Sequence, residues 1–283
     1  MPIENVSDTA RWVAVYRAME SARPDALFRD PWAERLAGDA GRRIVDEMRY
    51  GRRMAWAMIV RTAVLDEMIL ERVREGGVDT VINLAAGLDT RAWRLALPPA
   101  LRWFDVDLPA MTAYKREVMT GEVPRCRYEA VAADLTRDDE RDEVLRRVAG
   151  VATRALVITE GLLIYLSHEE VAALARALHA QPSVRWWLTD IASPTLLKFM
   201  TRDKGDTQRL ANSPFRFALA DRPAFFGPLG WRELEFRSGL DEARRLRREM
   251  PHAWLARLMM RFQPRRKREA VRVMNGYMML ERA

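Results

Sequence analysis

Thr80-Val81-Ile82-Asn83-Leu84-Ala85-Ala86-Gly87-Leu88-Asp89-Thr90-Arg91 reads as a buried strand, a small-residue turn and a helix start in direct succession. The apolar run from Val81 to Leu84 suits a parallel strand covered on both faces. The small side chains of Ala85, Ala86 and Gly87 let the backbone approach a ligand closely. Asp89 is placed to cap the helix that follows. About twenty residues on, Trp103-Phe104-Asp105-Val106-Asp107 is a second apolar run ending in carboxylates, the position from which an acid grips ribose hydroxyls. Either half alone is also the pattern of ordinary strand-to-helix packing, but together they point to a nucleotide-like cofactor.

Outward from this unit the chain keeps a strand–helix rhythm. Strand-like runs occur at Thr80–Ala85, Arg102–Val106, Tyr128–Ala133, Ala155–Thr159 and Arg185–Asp190. Helical segments near Thr90–Leu97, Pro109–Thr120, Asp139–Val148 and His168–Ala180 separate them. This alternation implies a parallel sheet with helices on both faces and a ligand site at the carboxyl ends of the strands. The stretch from Asp8 to Leu70 is helical, with Trp12, Val15, Tyr16 and Met19 on one stripe and Met54, Met58, Val64, Leu65 and Met68 as further core candidates. After Asp190 the rhythm breaks at Ser193-Pro194, Lys204-Gly205-Asp206 and Asn212-Ser213-Pro214, which suggests an insertion above the sheet. Two closing strands, Arg232–Phe236 and Gly276–Leu280, are expected to pair antiparallel.

A chain of 283 residues buries a substantial core, and one large domain is expected. No apolar run approaches the roughly twenty residues of a membrane span, and the amino terminus lacks the basic-then-apolar signal pattern. The single Cys126 rules out an internal disulfide framework and a cysteine-rich zinc cluster; a reducing cytoplasm and no metal are expected. The net charge is +7, and the isoelectric point near 10.0 raises nucleic-acid binding as a function. The basic residues are spread along the chain, with clusters at Arg244-Arg245-Leu246-Arg247-Arg248 and Arg265-Arg266-Lys267-Arg268. Solvated helix faces account for such clusters as well as phosphate contacts do, and nucleic acid is not the expected partner.

In order and spacing these features resemble the class I S-adenosylmethionine-dependent methyltransferases, specifically the leucine carboxyl methyltransferase family with its bacterial polyketide O-methyltransferase relatives. Four stretches carry the resemblance: Asp25-Ala26-Leu27-Phe28-Arg29-Asp30-Pro31, Asn83 to Arg91, Asp105-Val106-Asp107-Leu108-Pro109, and Glu160-Gly161-Leu162-Leu163-Ile164-Tyr165-Leu166. They span roughly residues 8–190, and the carboxyl third matches in general layout only. The resemblance implies an α/β fold: a doubly wound, mostly parallel, Rossmann-like seven-stranded sheet with amino-terminal helices and a helical cap insertion. It divides the chain into a helical cap (1–78), a cofactor-binding core (79–192), a cap insertion (193–221) and carboxyl-terminal antiparallel strands with a helix (222–283).

The implied cofactor is S-adenosyl-L-methionine, whose carboxylate, amino group, sulfonium, ribose and adenine demand contrasting groups around one groove. By resemblance, Arg17 and Arg61 bind the methionine carboxylate, a role suited to the bidentate guanidinium. Ala85, Ala86 and Gly87 lie beneath the methionine moiety, Asp107 rather than Asp105 takes the ribose hydroxyls, Asp134 and Leu135 meet the adenine, and Glu160 pairs with the amino group. Relatives usually have glycine where Ala85 stands; the extra methyl group is accommodated if φ is negative there. A helix cap is the other reading of Asp134. Tyr165 is a candidate to face the acceptor, with packing as the alternative.

The resemblance implies O-methyl transfer to a carboxylate or hydroxyl of a small, aromatic or polyketide-like acceptor. A carboxylate is already ionised at neutral pH and requires no base, consistent with the lack of an evident catalytic dyad. His168 lies near the site but also reads as the start of a capped helix, and no base is assigned. Trp186, Trp187, Phe199, Phe215 and Phe217 are candidates for an apolar acceptor pocket. The apolar and basic segment from His252 to Phe262 fits a lid, subunit packing or a membrane surface, the first two being expected. A protein C-terminal carboxyl methyltransferase is the alternative enzyme. A nicotinamide-dependent dehydrogenase is disfavoured by the missing Gly-x-Gly-x-x-Gly spacing and by the helices ahead of the first strand.

Overall fold

The computed structural model describes residues 6–47, 51–200 and 214–283. Three helices come first: α1 (Val6–Ser21), α2 (Ala33–Glu47), kinked at Gly38, and α3 (Gly51–Glu75). The strands are β1 (Thr80–Leu84), β2 (Arg102–Asp107), β3 (Arg127–Ala132), β4 (Ala155–Thr159), β5 (Val184–Ala192), β6 (Trp231–Ser238) and β7 (Asn275–Arg282). They form one seven-stranded sheet in the order β3-β2-β1-β4-β5-β7-β6. The first five run parallel. β7 lies antiparallel between β5 and β6, so the two closing strands pair as their sequence suggests.

The order reverses at β1. The chain winds outward through β2 and β3, then crosses back to place β4 on the other side of β1. Connections leaving β1 and β4 therefore diverge and open a crevice at the carboxyl ends of those strands, where doubly wound sheets bind ligands. Every residue of β1 and β4 is buried, as expected of central strands covered on both faces.

Strand alternation sorts the apolar side chains into two cores. Val81, Trp103, Leu156, Trp186 and Met279 point to one face, where α3 and its neighbours supply Val64, Leu65, Met68 and Ile69. Ile82, Phe104, Val157, Trp187 and Met278 point to the other, against Val171, Leu174 and Leu178 of the helix His168–His179. The adjacent tryptophans are thus core residues of opposite layers rather than walls of an acceptor pocket. Trp186 sits near the Arg72 and Arg154 guanidiniums, and Trp187 meets Phe226 and Trp231 edge-on. A third cluster, built from Tyr16, Phe28, Ile59 and Ala63, binds the amino-terminal helices to one another.

The helix expected over Thr90–Leu97 ends at Arg94. Pro98 and Pro99 follow, and the chain is already extended at Leu95, with φ −77° and ψ 150°. β5 runs two residues past its expected end because Ile191 and Ala192 pair with Gly276 and Asn275 of β7. Of the expected insertion, the described part is a helix, Pro194–Met200, and a stretch without regular secondary structure from 214. The turn signals at Lys204-Gly205-Asp206 and Asn212-Ser213 lie outside the described residues.

Candidate active site

A cavity of about 790 Å³ opens over the carboxyl ends of β1 and β4, between the sheet and α1 and α3. Arg17, Arg61, Ala85, Ala86, Gly87, Asp107, Glu160 and Tyr165 all line it. Asp134 and Leu135 do not. Asp134 accepts hydrogen bonds from the Thr136 backbone N–H (3.0 Å) and hydroxyl (2.7 Å), closing the turn before the next helix, and Leu135 packs against the second core layer.

The turn after β1 is tied to β2. Ala86 N donates to the Val106 carbonyl at 3.3 Å, and Gly87 N donates to Asp107 Oδ2 at 2.6 Å. To reach these partners the chain takes φ 52° at Ala85 and φ 53° at Gly87. The extra methyl group therefore sits at a positive φ, not at the negative φ that would have accommodated it, and this left-handed geometry is costly for an alanine. At Gly87 a Cβ would also approach the Ala10 side chain to 3.2 Å. Asp107 is held by Gly87 on one oxygen and by the Leu108 backbone N–H (2.7 Å) on the other. Burial pushes its carboxyl above the usual range, and the two N–H donors pull the other way.

Asp105, the competing carboxylate, serves the core instead. It accepts from Asn83, the Trp103 indole, Lys115 Nζ at 2.6 Å and the Tyr128 hydroxyl. Two residues apart on β2, Asp105 and Asp107 share a face of the sheet; Asp107 ends the strand at the cavity, whereas Asp105 lies further in and is buried.

Beneath the other half of the cavity lies a buried charge network. Arg91, 2 % exposed, donates to Asp66 (2.7 Å), Asp89 (2.6 Å) and Glu160 (2.6 Å). Arg61 donates through Nε to Glu160 (2.9 Å) and through Nη1 to Asp190 (3.3 Å). Asp190 also accepts from the Gly161 backbone N–H at 2.6 Å. Gly161 has φ 65°, and a Cβ there would come within 3.1 Å of Arg61 Nη1. Burial works against the charges of Asp89 and Glu160, but Arg91, joined by Arg61 at Glu160, holds both carboxyls below their usual range. Asp89 additionally accepts from the Arg91 backbone N–H at 2.7 Å, so it does satisfy the first turn of its helix.

Arg17 is buried beside the turn. Its Nε meets Asp30 Oδ2 at 2.8 Å and its Nη2 donates to the Leu88 carbonyl at 2.5 Å. Asp30 also accepts from Thr90 Oγ1 at 2.6 Å, which ties the Asp30-Pro31 stretch to the segment that follows the turn after β1. Sequence reasoning gave no role to Arg91, Asp66, Asp89 beyond its cap, or Asp190. Asp190 carried one readable signal: like Glu160, it is an acid at the carboxyl end of a central strand.

The outer wall is apolar. Trp12, Trp56, Phe199, Phe215 and Phe217 line it together with Tyr165, whose ring lies 5.5 Å from that of Phe215. His168 is not part of the cavity wall. Its ring meets Phe217 at a tilt and Phe225 edge-on, at the start of a helix whose capping box joins Ser167 and Glu170.

The chain is similar to known proteins. A family model described as leucine carboxyl methyltransferase matches residues 10–179. The chain belongs to the leucine carboxyl methyltransferase family. A "Putative S-adenosyl-L-methionine-dependent methyltransferase" of Parafrankia sp. is 36 % identical over 270 residues, spanning 87 % of this chain and 83 % of that one. A protein of the same description from Saccharopolyspora erythraea is 33 % identical, over 81 % of this chain and 84 % of its own length. The crystal structure of a DUF574 family protein from Streptomyces avermitilis superposes with a TM-score of 0.60 over 97 % of both chains at 15 % identity, which shows the shared fold. Membership makes this protein a methyltransferase that uses S-adenosyl-L-methionine, on a Rossmann-like class I fold. No helix among the described residues is long and apolar enough to cross a membrane.

Proposed function

We propose that this methyltransferase esterifies the carboxylate of a small, largely apolar, aromatic or polyketide-like acceptor. The observation that carries the reading is the division of the cavity into a charged floor and an aromatic wall, with no group among the described residues poised to accept a proton. Among the described residues no histidine lines the cavity. Asp107, Glu160 and Asp190 are all engaged by N–H donors or guanidiniums. Burial raises the Tyr165 and Tyr277 hydroxyls above their usual pKa, so both stay protonated at neutral pH. A hydroxyl acceptor has to lose a proton, whereas a carboxylate has none to lose.

The donor set fits the cofactor. Asp107 offers a carboxylate to the ribose diol, and the positive-φ turn of Ala85 to Gly87 brings backbone close beside the methionine moiety. Arg17 and Arg61 serve the methionine carboxylate, and Glu160 the amino group, with Asp190 a second acid beside it. Arg61 and Glu160 neutralise each other, so the two charged ends of an amino-acid group exchange one ion pair for two. The bound sulfonium supplies an electrophilic methyl carbon. The chain's contribution is to align the acceptor oxygen with that carbon, beside an apolar wall that includes Tyr165, Phe215 and the buried Phe217.

The test is transfer of labelled methyl from S-adenosyl-L-methionine to extracted metabolites and, separately, to lysate protein. Base-labile label on low-mass apolar acids is the expected result. Base-stable label indicates an ether and a hydroxyl acceptor, and label on protein indicates a polypeptide C-terminus; either outcome overturns the proposal.

A further inference from the structure

The helix Ala253–Arg261 contains no buried residue. It rests on the fold through Ala253 and Met260, which are half-buried, and exposes Trp254, Leu255, Leu258 and Met259, as well as Phe262 just beyond its end. Phe262 is 80 % exposed and Trp254 59 %. At 3.6 residues per turn these five side chains share one sector of about 140°, opposite the side that touches the protein. An ordinary surface helix puts its apolar stripe inward; this one presents it to solvent.

The charge of the same segment is equally one-sided. Residues 252–272 hold seven basic side chains against Glu269 alone, a net +6 within a chain of net +7. Arg257 pairs with Glu249, and Arg272 with Asp241 and Glu269. Arg261, Arg265, Arg266 and Arg268 form no ion pair with any described residue. In the earlier arginine cluster Arg245 is taken up by Glu67 and Glu242, and Arg248 by Glu20 and Asp25, which leaves Arg244 and Arg247 without an ion pair to any described residue.

We propose that this segment docks the protein onto an anionic lipid surface, with the apolar stripe entering the boundary between headgroups and acyl chains and the unpaired arginines meeting acidic headgroups. A second copy of the chain is the poorer occupant, because symmetric pairing of the helix would set two segments of net +6 against each other. Nucleic acid would satisfy the arginines but leave Leu255, Leu258 and Met259 without an apolar partner, since aliphatic side chains offer bases no stacking face. The position adds a consequence. Met250 and Pro251 are exposed, line the cavity and lead into the helix, so docking brings the cavity mouth to the lipid surface. The inference does not depend on the acceptor proposed above, because it concerns the outer surface alone.

Flotation of the full chain with extruded vesicles tests it, comparing phosphatidylcholine alone with phosphatidylcholine containing phosphatidylglycerol. Binding at least tenfold stronger to the acidic vesicles is expected. An Arg265→Gln, Arg266→Gln, Arg268→Gln variant should lose on the order of a hundredfold, taking about 1 kcal/mol per charge near the surface. A Trp254→Ser, Leu258→Ser, Phe262→Ser variant should lose at least tenfold, and both variants should melt with the parent because all six side chains are exposed. Equal partition into both vesicle types, or an unchanged affinity in the serine variant, overturns the proposal. So does RNA binding without vesicle binding, or a dimer in light scattering that the serine variant dissociates.

Discussion

Replacing Arg91 by methionine tests whether the charge network under the cavity is held together as the structure indicates. The substitution keeps most of the apolar stem and removes three charge-assisted contacts, to Asp66, Asp89 and Glu160. Asp66 retains Arg94, and Glu160 retains Arg61. Asp89 keeps only neutral donors, Asn83 Nδ2 at 3.0 Å and the backbone N–H of residue 91 at 2.7 Å. One buried carboxylate is therefore left without a cationic partner, a change that costs about 3–5 kcal/mol. The pH dependence provides a second, independent reading. In the parent chain Asp89 and Glu160 ionise more readily folded than unfolded. Their stabilisation is fully present above the unfolded carboxylate range near about 4, and fades as pH falls through their lower folded values. Removing Arg91 raises those folded values, so the variant's deficit should be largest near about pH 7 and narrow toward about pH 4. Urea unfolding at several pH values measures both effects, and adding Asp89→Asn should recover part of the loss by removing the unpaired charge. A loss below about 1 kcal/mol, or a deficit that does not vary with pH, would refute the reasoning.

Ala85→Gly should stabilise the chain by up to about 1 kcal/mol, because relief of the left-handed conformation (about 1–2 kcal/mol) outweighs the extra freedom of glycine in the unfolded state. Thermal melting checks the sign, and a lower melting temperature would count against the assigned strain. Gly161→Ala should cost about 1–3 kcal/mol and weaken cofactor binding, since it combines φ 65° with a close approach to Arg61 Nη1. Chemical unfolding and calorimetry with S-adenosyl-L-methionine measure the two effects. Asp107→Asn should weaken that binding by on the order of tenfold or more through loss of a charged acceptor. Burial raises the Asp107 carboxyl, so the parent's affinity should fall as pH drops through that elevated value, while the asparagine variant's affinity stays flat there.

What was legible in the sequence is what short stretches of chain determine by themselves. β1, its turn and β2 were read from apolar runs and small residues because strand pairing and a tight turn act over a few neighbours, and the sheet places them as expected. The antiparallel pairing of β6 and β7 followed from their isolation at the end of the chain; the insertion of β7 beside β5 did not, because nothing local marks which edge a returning strand will join. The tryptophan pair failed for a related reason. Trp186 and Trp187 are equally aromatic, and only burial of β5 on both faces commits each to a separate core. The charged floor was the least legible part. Asp66 comes from α3, Asp89 from the loop after β1, Arg91 from the start of the helix that follows it, Glu160 from the end of β4 and Asp190 from β5, and they meet only because the strand order reverses at β1. Asp66 and Arg91 are therefore structural to the site without being visible as site residues. Arg61 and Glu160 were singled out by resemblance as opposite ends of a ligand grip, and each is the other's partner. A carboxylate ligand that takes up Arg61 has to compete with Glu160, and an ammonium ligand that takes up Glu160 has to compete with Arg61. Arg91 behind Glu160 and Asp190 behind Arg61 keep each member partnered when the other is taken up, so a zwitterion that meets both at once leaves no charge of the pair unpartnered.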